Sequence, residues 1–239
     1  MNDKAFKRTP RWVNFISGGA STCIRVIQEE MPGGALFGAS ETVAVVANSH
    51  NVDGIINITK ETKFSEENIL VVKPGPNFAS RILEVLDNYK ADCFHQLGWM
   101  PKMPEEVLNR YVGCNQHFGP GGKWMYGVRR VYVHMRFCQE VGRIIPIEVF
   151  CQLVHPKYDA GKIVCHEIVD LDFRNTPEQN AKILLSIEHE VQINGRQAMF
   201  YGIKPDEMKD PINIARNVEE ENLLFALKKE ARDKYPPEK

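Results

Sequence analysis

The sequence predicts an α/β fold: a mostly parallel central sheet with helices on both faces, ending in an antiparallel hairpin. Short apolar runs that fit buried strands alternate with helical patterns, which is typical of strand–helix–strand units. The last two strand-like runs are joined by the short turn HPKYDA, which is typical of a hairpin. We predict one main domain over residues 1–203 and a C-terminal helical extension over residues 204–239.

The first half of the chain contains residue patterns typical of strands, turns and helices, one after another. WVNFI (12–16) fits a buried strand, SGGAS (17–21) a turn, and TCIRVIQEEM (22–31) a helix with one apolar side. The polar stretch near 49–67 has no clear pattern. Further strands are predicted at 41–48, 68–72 and 91–98, and further helices at 77–90 and 104–111.

The second half contains one ambiguous segment and one strong helix signal. Residues 124–142 fit a helix or a strand, because their β-branched and aromatic residues weaken the helical pattern, and we favour the helix. The helix at 176–193 is well marked, with Thr176 as N-cap, Pro177 in the first turn and Gln179 at the capping-box position. The remaining predictions are strands at 144–154 and 161–169 and a helix at 217–234.

The charge balance excludes a general attraction to nucleic acid or to anionic lipid. Lysine and arginine number 30 against 31 aspartates and glutamates. Any bound anion must therefore be held by a local site. The start of the chain lacks an apolar stretch of signal-peptide length, and the longest apolar runs are strand-sized, so we expect a cytoplasmic protein with no membrane segment.

The six cysteines are scattered, and most lie inside apolar runs, so buried thiols are favoured over a disulfide framework. Zinc is the sharper interpretation of two Cys/His pairs, Cys114 with His117 and Cys165 with His166. Neither pair is accompanied by a CxxC motif. We therefore predict no metal site.

A candidate anion site lies at the first strand-to-helix turn, in NFISGGASTCIRVI (14–27). Backbone N–H groups in such a turn, together with the helix N-terminus, form a cradle for phosphate. A tight turn that needs glycine only for its geometry explains the same residues. The segment lacks both the dinucleotide glycine spacing and the lysine of a P-loop.

A candidate reaction centre lies in VGCNQHFGPGG (112–122), interpreted as a turn ahead of a glycine-rich bend. Asn115 can donate a hydrogen bond to an oxygen that becomes negative, and His117 can exchange a proton near neutral pH. A histidine beside a turn is more often structural. Asp159, at the tip of the predicted hairpin, would orient the His117 ring and favour the imidazolium, but an aspartate there also simply makes a turn.

Five weak motifs in order resemble the folate-dependent formyltransferases. They are the strand–SGxxS–helix start, GWMP at 98–101 after a central strand, Asn-x-His, Asp-x-Gly before a strand, and a late helix with Glu-His. The resemblance runs from about Phe15 to about Ile193. No single motif is specific, whereas their order and spacing are.

The resemblance implies an α/β catalytic domain that transfers a formyl group from 10-formyltetrahydrofolate, the donor, to a primary amine, with no metal. Within the family, the chain most resembles the enzymes that use glycinamide ribonucleotide as the acceptor in purine synthesis. The implied catalytic residues are Asn115, His117 and Asp159. Asn115 and protonated His117 would stabilise the oxyanion, and His117, directly or through water held by Asp159, would carry the proton.

The resemblance also implies binding segments. Glu188 would lie near the ribose or amine of the substrate. The substrate phosphate would bind the loop of Ser17, Gly18, Gly19, Ala20, Ser21 and Thr22. The folate would lie along the backbone of Gly98, Trp99, Met100, Pro101, Lys102 and Met103.

The chain departs from the family pattern at several positions. Phe118 and Gly119 replace the usual Pro-Ser after Asn-x-His, Pro101 replaces an arginine, and Gln152 replaces a histidine. The spacing from Asn115 to Asp159 is also longer than usual, so we expect a rebuilt loop over the folate pocket. These departures concern the recognition of the amine acceptor rather than the class of reaction.

Other functions stay open. One alternative acceptor is another amine, such as an amino sugar. A second is water, which would make the protein a hydrolase. Such hydrolases usually have an extra N-terminal domain, for which we expect the residues before the first strand to leave no room. A transformylase acting on tRNA would need a C-terminal RNA-binding domain. A non-catalytic folate- or phosphate-binding protein is the alternative from another class. The partners expected are small molecules, and a homodimer is left open.

Overall fold

The computed structural model describes residues 6–203 and 207–236. One seven-stranded sheet has the order β3-β2-β1-β4-β5-β6-β7. The strands are β1 Arg11–Ile16, β2 Glu41–Ala47, β3 Ile69–Val71, β4 Cys93–Gln96, β5 Val112–Phe118, β6 Ile147–Leu153 and β7 Ile163–Val169. The helices are α1 Ser21–Glu29, α2 Asp53–Glu61, α3 Phe78–Asn88, α4 Glu105–Leu108, α5 Val128–Val141, α6 Pro177–Tyr201 and α7 Val218–Lys234.

The predicted fold class is confirmed. Strands β1 to β5 pair in parallel, and β6 runs antiparallel to both β5 and β7. The long connections that parallel pairing requires are supplied by α1, α2, α3 and α4. Every predicted strand and helix is present within a few residues, and the ambiguous segment at 124–142 is helical, as α5.

The structure differs from the sequence prediction in three details. The 112–118 stretch is not a turn but the central strand β5, which pairs with β4 and β6 on its two sides. Sheet pairing overrides the low strand propensity of its glycine and amide residues. The polar stretch near 49–67 contains α2, which buries Ile58 against the sheet, and α6 continues past residue 193 to Tyr201.

The core lies on both faces of the sheet. On one face β4 to β7 pack against α5 and α6, with Val131, Ile147 and Leu184 fully buried. On the other face β1, β2 and β4 pack against α3 and α4. Helix α1 packs against α2 and α6.

The C-terminal helix α7 packs against α5 through a separate cluster. Leu227 and Ala231 of α7 are buried against Val133 and Phe137 of α5. The backbone carbonyl of Tyr235 accepts hydrogen bonds from the buried guanidinium of Arg129. Helix α7 is therefore anchored on the main body of the molecule.

Candidate active site

Most of the predicted site residues lie on or just after the carboxyl ends of β1, β4 and β5. Phe15 of β1 pairs with Gln96 of β4, which in turn pairs with Asn115 of β5. The chain leaves β1 toward β2 and leaves β4 toward β5, so the strand order reverses between β1 and β4. Ligands of open parallel sheets bind in the crevice that such a reversal creates.

The 17–22 loop follows β1 and leads into α1. Ala20 has a left-handed backbone conformation with φ 62° and precedes the helix, which begins at Ser21 without a side-chain cap. Helix α2 fixes the loop, since Gly54 N–H donates to the Gly18 carbonyl (3.0 Å) and Asn57 Nδ2 to the Gly19 carbonyl (3.1 Å). The uncapped helix start leaves backbone N–H groups for an anion.

The 98–103 segment follows β4 and lies beside that loop. Its Met100 backbone N–H donates to Ser17 Oγ at 3.0 Å. Trp99 and Met103 are buried in the core, so the segment offers its backbone rather than these side chains to a ligand. A cavity of about 490 Å³ lies beside the end of this segment and is lined by residues 102–106 and Asn109. None of the candidate catalytic residues lines this cavity.

Strand alternation sets the orientation of the β5 side chains. Asn115 and His117 point to one face of the sheet, whereas Cys114 packs in the core on the opposite face. Cys114 and His117 therefore lie on opposite faces and cannot share a metal ion. Cys165 and His166, consecutive in β7, are separated in the same way.

His117 meets Asp159 in space. His117 Nδ1 lies 3.3 Å from Asp159 Oδ1, and the histidine is 1% exposed. The other carboxylate oxygen, Asp159 Oδ2, accepts the N–H of Gly122 at 2.8 Å, and Gln152 Nε2 donates to Oδ1 at 3.4 Å. Asp159 lies in the β6–β7 turn, as predicted, and Gln152, which replaces a family histidine, supports its carboxylate.

The charge on His117 differs from the expectation. Burial lowers the pKa of His117 to about 3, with Arg130 acting in the same direction, and these outweigh the opposite effect of Asp159. Lys228 lowers this pKa further. Residue 117 is therefore a neutral imidazole at neutral pH rather than the imidazolium that an adjacent aspartate favours.

Both ring nitrogens of His117 are buried and have no partner with hydrogen-bond geometry among the described residues. The Pro120 carbonyl is near enough to raise the pKa of His117, yet it does not complete such a bond. A buried polar atom without a partner costs about 1–3 kcal/mol. The ring therefore retains unused hydrogen-bonding capacity at this position.

Two cations of this site were missed from the sequence. Arg130, on α5, lowers the pKa of both His117 and Asp159 through its charge. Its Nε donates to the Met125 carbonyl at 3.1 Å, while its terminal nitrogens make no hydrogen bond to another described residue. Lys228, on α7, donates to the Gly121 carbonyl at 2.7 Å. No sequence motif marks either residue, since both act across long separations.

Glu188 lies on α6 and is 2% exposed. Burial raises the pKa of Glu188 to about 7, against the lowering effects of Arg130 and of a hydrogen bond from Gln116. Its Oε1 has no hydrogen-bond partner among the described residues. A carboxyl group that changes its charge near pH 7 is suited to meet an amine or a hydroxyl group of a ligand.

Known proteins resemble the chain in sequence and in fold. No protein-family model matches the chain. A chloroplastic phosphoribosylglycinamide formyltransferase of Arabidopsis thaliana is 25% identical over 194 residues, which are 75% of this chain. The match spans 61% of the length of that relative, so about two fifths of the plant protein has no counterpart in the alignment.

Solved structures share the fold. A glycinamide ribonucleotide transformylase from Symbiobacterium toebii aligns with a TM-score of 0.62 at 16% identity, covering 86% of this chain and 95% of that one. A formyltetrahydrofolate deformylase from Pseudomonas putida aligns with a TM-score of 0.60 at 15% identity, covering 82% of this chain and 66% of that one. The resemblance to the folate-dependent formyltransferases is confirmed, and this chain has their fold. None of the described helices is long and apolar enough to cross a membrane.

Proposed function

We propose that this chain, which has the formyltransferase fold, transfers a formyl group from 10-formyltetrahydrofolate to the primary amine of glycinamide ribonucleotide. The observation that carries the proposal is the contact of His117 with Asp159 beside Asn115, at the carboxyl ends of the central strands. The names of the Arabidopsis relative and of the Symbiobacterium structure support the same reaction.

His117 is the proton carrier of the proposed reaction. A neutral imidazole whose Nδ1 faces the Asp159 carboxylate keeps its proton on Nδ1, which leaves the lone pair of Nε2 free. Nε2 accepts the proton that the attacking amine loses and delivers it to the departing folate nitrogen. Such transfer typically contributes about 100- to 10,000-fold in rate when the pKa of the base is near the working pH, so the low pKa of His117 favours the lower end of that range.

The oxyanion needs a donor other than an imidazolium, because burial keeps His117 neutral. We assign this role to the side-chain amide of Asn115, which makes no hydrogen bond to another described residue, with the charge of Arg130 as support. Removing one such donor typically costs about 2.7–4 kcal/mol of transition-state stabilisation. Asn115 and Arg130 thus replace the charged histidine of the sequence-based hypothesis.

The substrates are assigned to the segments around this centre. The 17–22 loop holds the phosphate of the acceptor. The loop leads into the uncapped start of α1, where free backbone N–H groups can donate hydrogen bonds to an anion. Glu188 meets the amine or the ribose, which supplies a partner for its unpaired Oε1. The backbone of the 98–103 segment holds the folate donor.

The reaction balances without a further reactant. The amine nitrogen forms a bond to the formyl carbon, and the bond from that carbon to the folate nitrogen breaks. One proton moves from the amine to the folate nitrogen through His117. The products are the formylated amine and tetrahydrofolate, so neither an oxidant nor a metal enters the balance.

The acceptor is the least constrained part of the proposal. The chain departs from the pattern that it resembles near the proposed site, including Pro101 in the 98–103 segment and Gln152 beside Asp159. Another amine, such as an amino sugar, or water remains an outcome to be tested. A homodimer also remains a prediction, and sedimentation of the purified chain measures it.

The test is the initial rate of tetrahydrofolate release from 10-formyltetrahydrofolate with a panel of acceptors. We expect release with glycinamide ribonucleotide and little release with buffer alone or with amino sugars. Release that is independent of any amine indicates a hydrolase. Tight binding of the folate without any release indicates a non-catalytic binding protein, and either result would overturn the proposal.

A further inference from the structure

Helix α7 sends one side chain toward the candidate site. Lys228 Nζ donates to the carbonyl oxygen of Gly121 at 2.7 Å. A Cβ atom added at Gly122 would lie 3.7 Å from the same nitrogen. The lysine therefore sits directly on the loop of residues 119–122 that follows β5.

The 119–122 loop in turn holds Asp159. Gly122 N–H donates to Asp159 Oδ2 at 2.8 Å. A Cβ atom at Gly121 would lie 2.7 Å from the Cβ of Asp159, closer than two carbon atoms tolerate. The loop approaches the aspartate this closely only because residue 121 is glycine.

Asp159 occupies a backbone conformation that needs support. Its φ is 51°, in the left-handed region that few residues other than glycine adopt. Its second oxygen, Oδ1, lies 3.3 Å from His117 Nδ1. Two hydrogen bonds therefore link Lys228 through the loop to the Asp159 carboxylate, and that carboxylate lies beside the His117 ring.

Helix α7, which carries Lys228, is held firmly on the rest of the protein. Leu227 and Ala231, which flank Lys228 on α7, are buried against α5. Arg129 of α5 fixes the carbonyl of Tyr235 at the end of the helix. Lys228 thus reaches the loop from an anchored helix rather than from a mobile tail.

We propose that α7 completes the active site and that Lys228 is a positioning residue, which fixes the 119–122 loop and through it the Asp159 carboxylate beside His117. The proposal rests on the proposed function in assigning His117 and Asp159 to the reaction. Without the lysine, the 119–122 loop no longer holds the Asp159 carboxylate in its position beside the His117 ring. Turnover then falls, whereas substrate affinity, set by the 17–22 and 98–103 segments, stays.

The test compares Lys228→Met, which keeps an unbranched apolar side chain and removes the donor, with Lys228→Arg and with Lys229→Met as matched control. Lys229 is the exposed neighbour on the same helix. The full chain is assayed for kcat, KM and the hydrogen exchange of the Gly122 amide. For Lys228→Met we expect kcat lower by about 10- to 100-fold, as for a misplaced catalytic group, and KM unchanged within about twofold.

The same variant should exchange the Gly122 amide at least about tenfold faster, since the loop opens more often. We expect Lys228→Arg to restore most of kcat and Lys229→Met to match the wild type. Unchanged Gly122 exchange in Lys228→Met, or equal effects of the two methionine variants, would overturn the proposal. If circular dichroism shows that Lys228→Met is unfolded, Lys228→Ala, which also lacks the donor, is judged by the same criteria.

Failure of the proposed function gives a different pattern. A wild-type chain without turnover leaves no kcat to compare, yet Gly122 exchange still reports whether Lys228 holds the loop. Faster exchange in Lys228→Met together with an inactive wild type supports the positioning contact and refutes the reaction. Slow exchange in the variant together with an active wild type refutes only the role of Lys228.

Discussion

The Nδ1 atom of His117 lies 3.3 Å from the Oδ1 atom of Asp159, although one residue belongs to a central strand and the other to a turn at the edge of the sheet. The antiparallel pairing of β5 with β6 produces this contact, because it returns the chain along the strand that carries His117. The contact fixes which ring nitrogen faces the carboxylate and leaves Nε2 without a hydrogen-bond partner among the described residues. The account of the reaction depends on this arrangement.

Replacing His117 by alanine removes the proposed proton carrier. We expect the turnover number of His117→Ala to fall about 100- to 10,000-fold, as is typical for loss of a general base. The Kd of the folate should change little, because the 98–103 backbone holds it. Steady-state kinetics with a calorimetric Kd measures both, and His50→Ala, at an exposed histidine, serves as control. Retention of turnover in His117→Ala would remove the residue from the mechanism.

Replacing Arg130 by methionine removes one of the two positive charges of the site. We expect Arg130→Met to lose about 100- to 1,000-fold in kcat, comparable with the loss of one oxyanion donor. Arg136→Met, at a more exposed arginine of the same helix, should keep wild-type kcat. Equal kcat values for the two variants would show that Arg130 stabilises the fold rather than the transition state.

Glu188 predicts a specific pH dependence. The pKa of Glu188 is raised to about 7 by burial, so the carboxylate form that meets the amine is lost as the pH falls through that value. The kcat/KM of the wild type should decline below about pH 7, and Glu188→Gln should lack this component. The acceptor amine titrates equally with both proteins, so the difference between the two profiles isolates residue 188. Parallel profiles would contradict the assignment.

Burial of neutral His117 also affects stability. Its pKa falls from 6.5 to about 3 on folding, so between these values the unfolded chain binds a proton that the folded chain does not. The free energy of unfolding therefore decreases as the pH falls through this window, by up to about 1.4 kcal/mol per pH unit. Urea titrations at several pH values should give a shallower decrease for His117→Gln. An identical decrease in both proteins would show that the ring is accessible to protons in the folded chain.

The sequence predicted the order of strands and helices because their apolar periodicities are strong, as in β2 and α6. It failed at β5, where Gly113, Asn115 and Gln116 have low strand propensity. Gly113 is required there because the ring of Phe94 lies 2.1 Å from the position of an added Cβ atom. Such a constraint exists only between paired strands, so local sequence cannot reveal it.

The candidate site was predictable where a motif marked it. Asn115, His117 and Asp159 were predicted as site residues from the order of their motifs along the chain. Only folding brings His117 next to Asp159. Arg130 and Lys228 gave no signal, because Lys228 contacts a loop 107 residues away in sequence and Arg130 lies on a helix with many charged side chains. The neutral state of His117 was also unpredictable, since it follows from burial and from those two cations.

The most direct test of the central claim is the fate of an isotopically labelled formyl group supplied on 10-formyltetrahydrofolate. Mass spectrometry of the reaction with glycinamide ribonucleotide should find the label on the amine of the acceptor with the wild-type chain and not with His117→Ala. Label recovered as free formate, or retained on the folate, would contradict transfer at the Asn115, His117 and Asp159 centre.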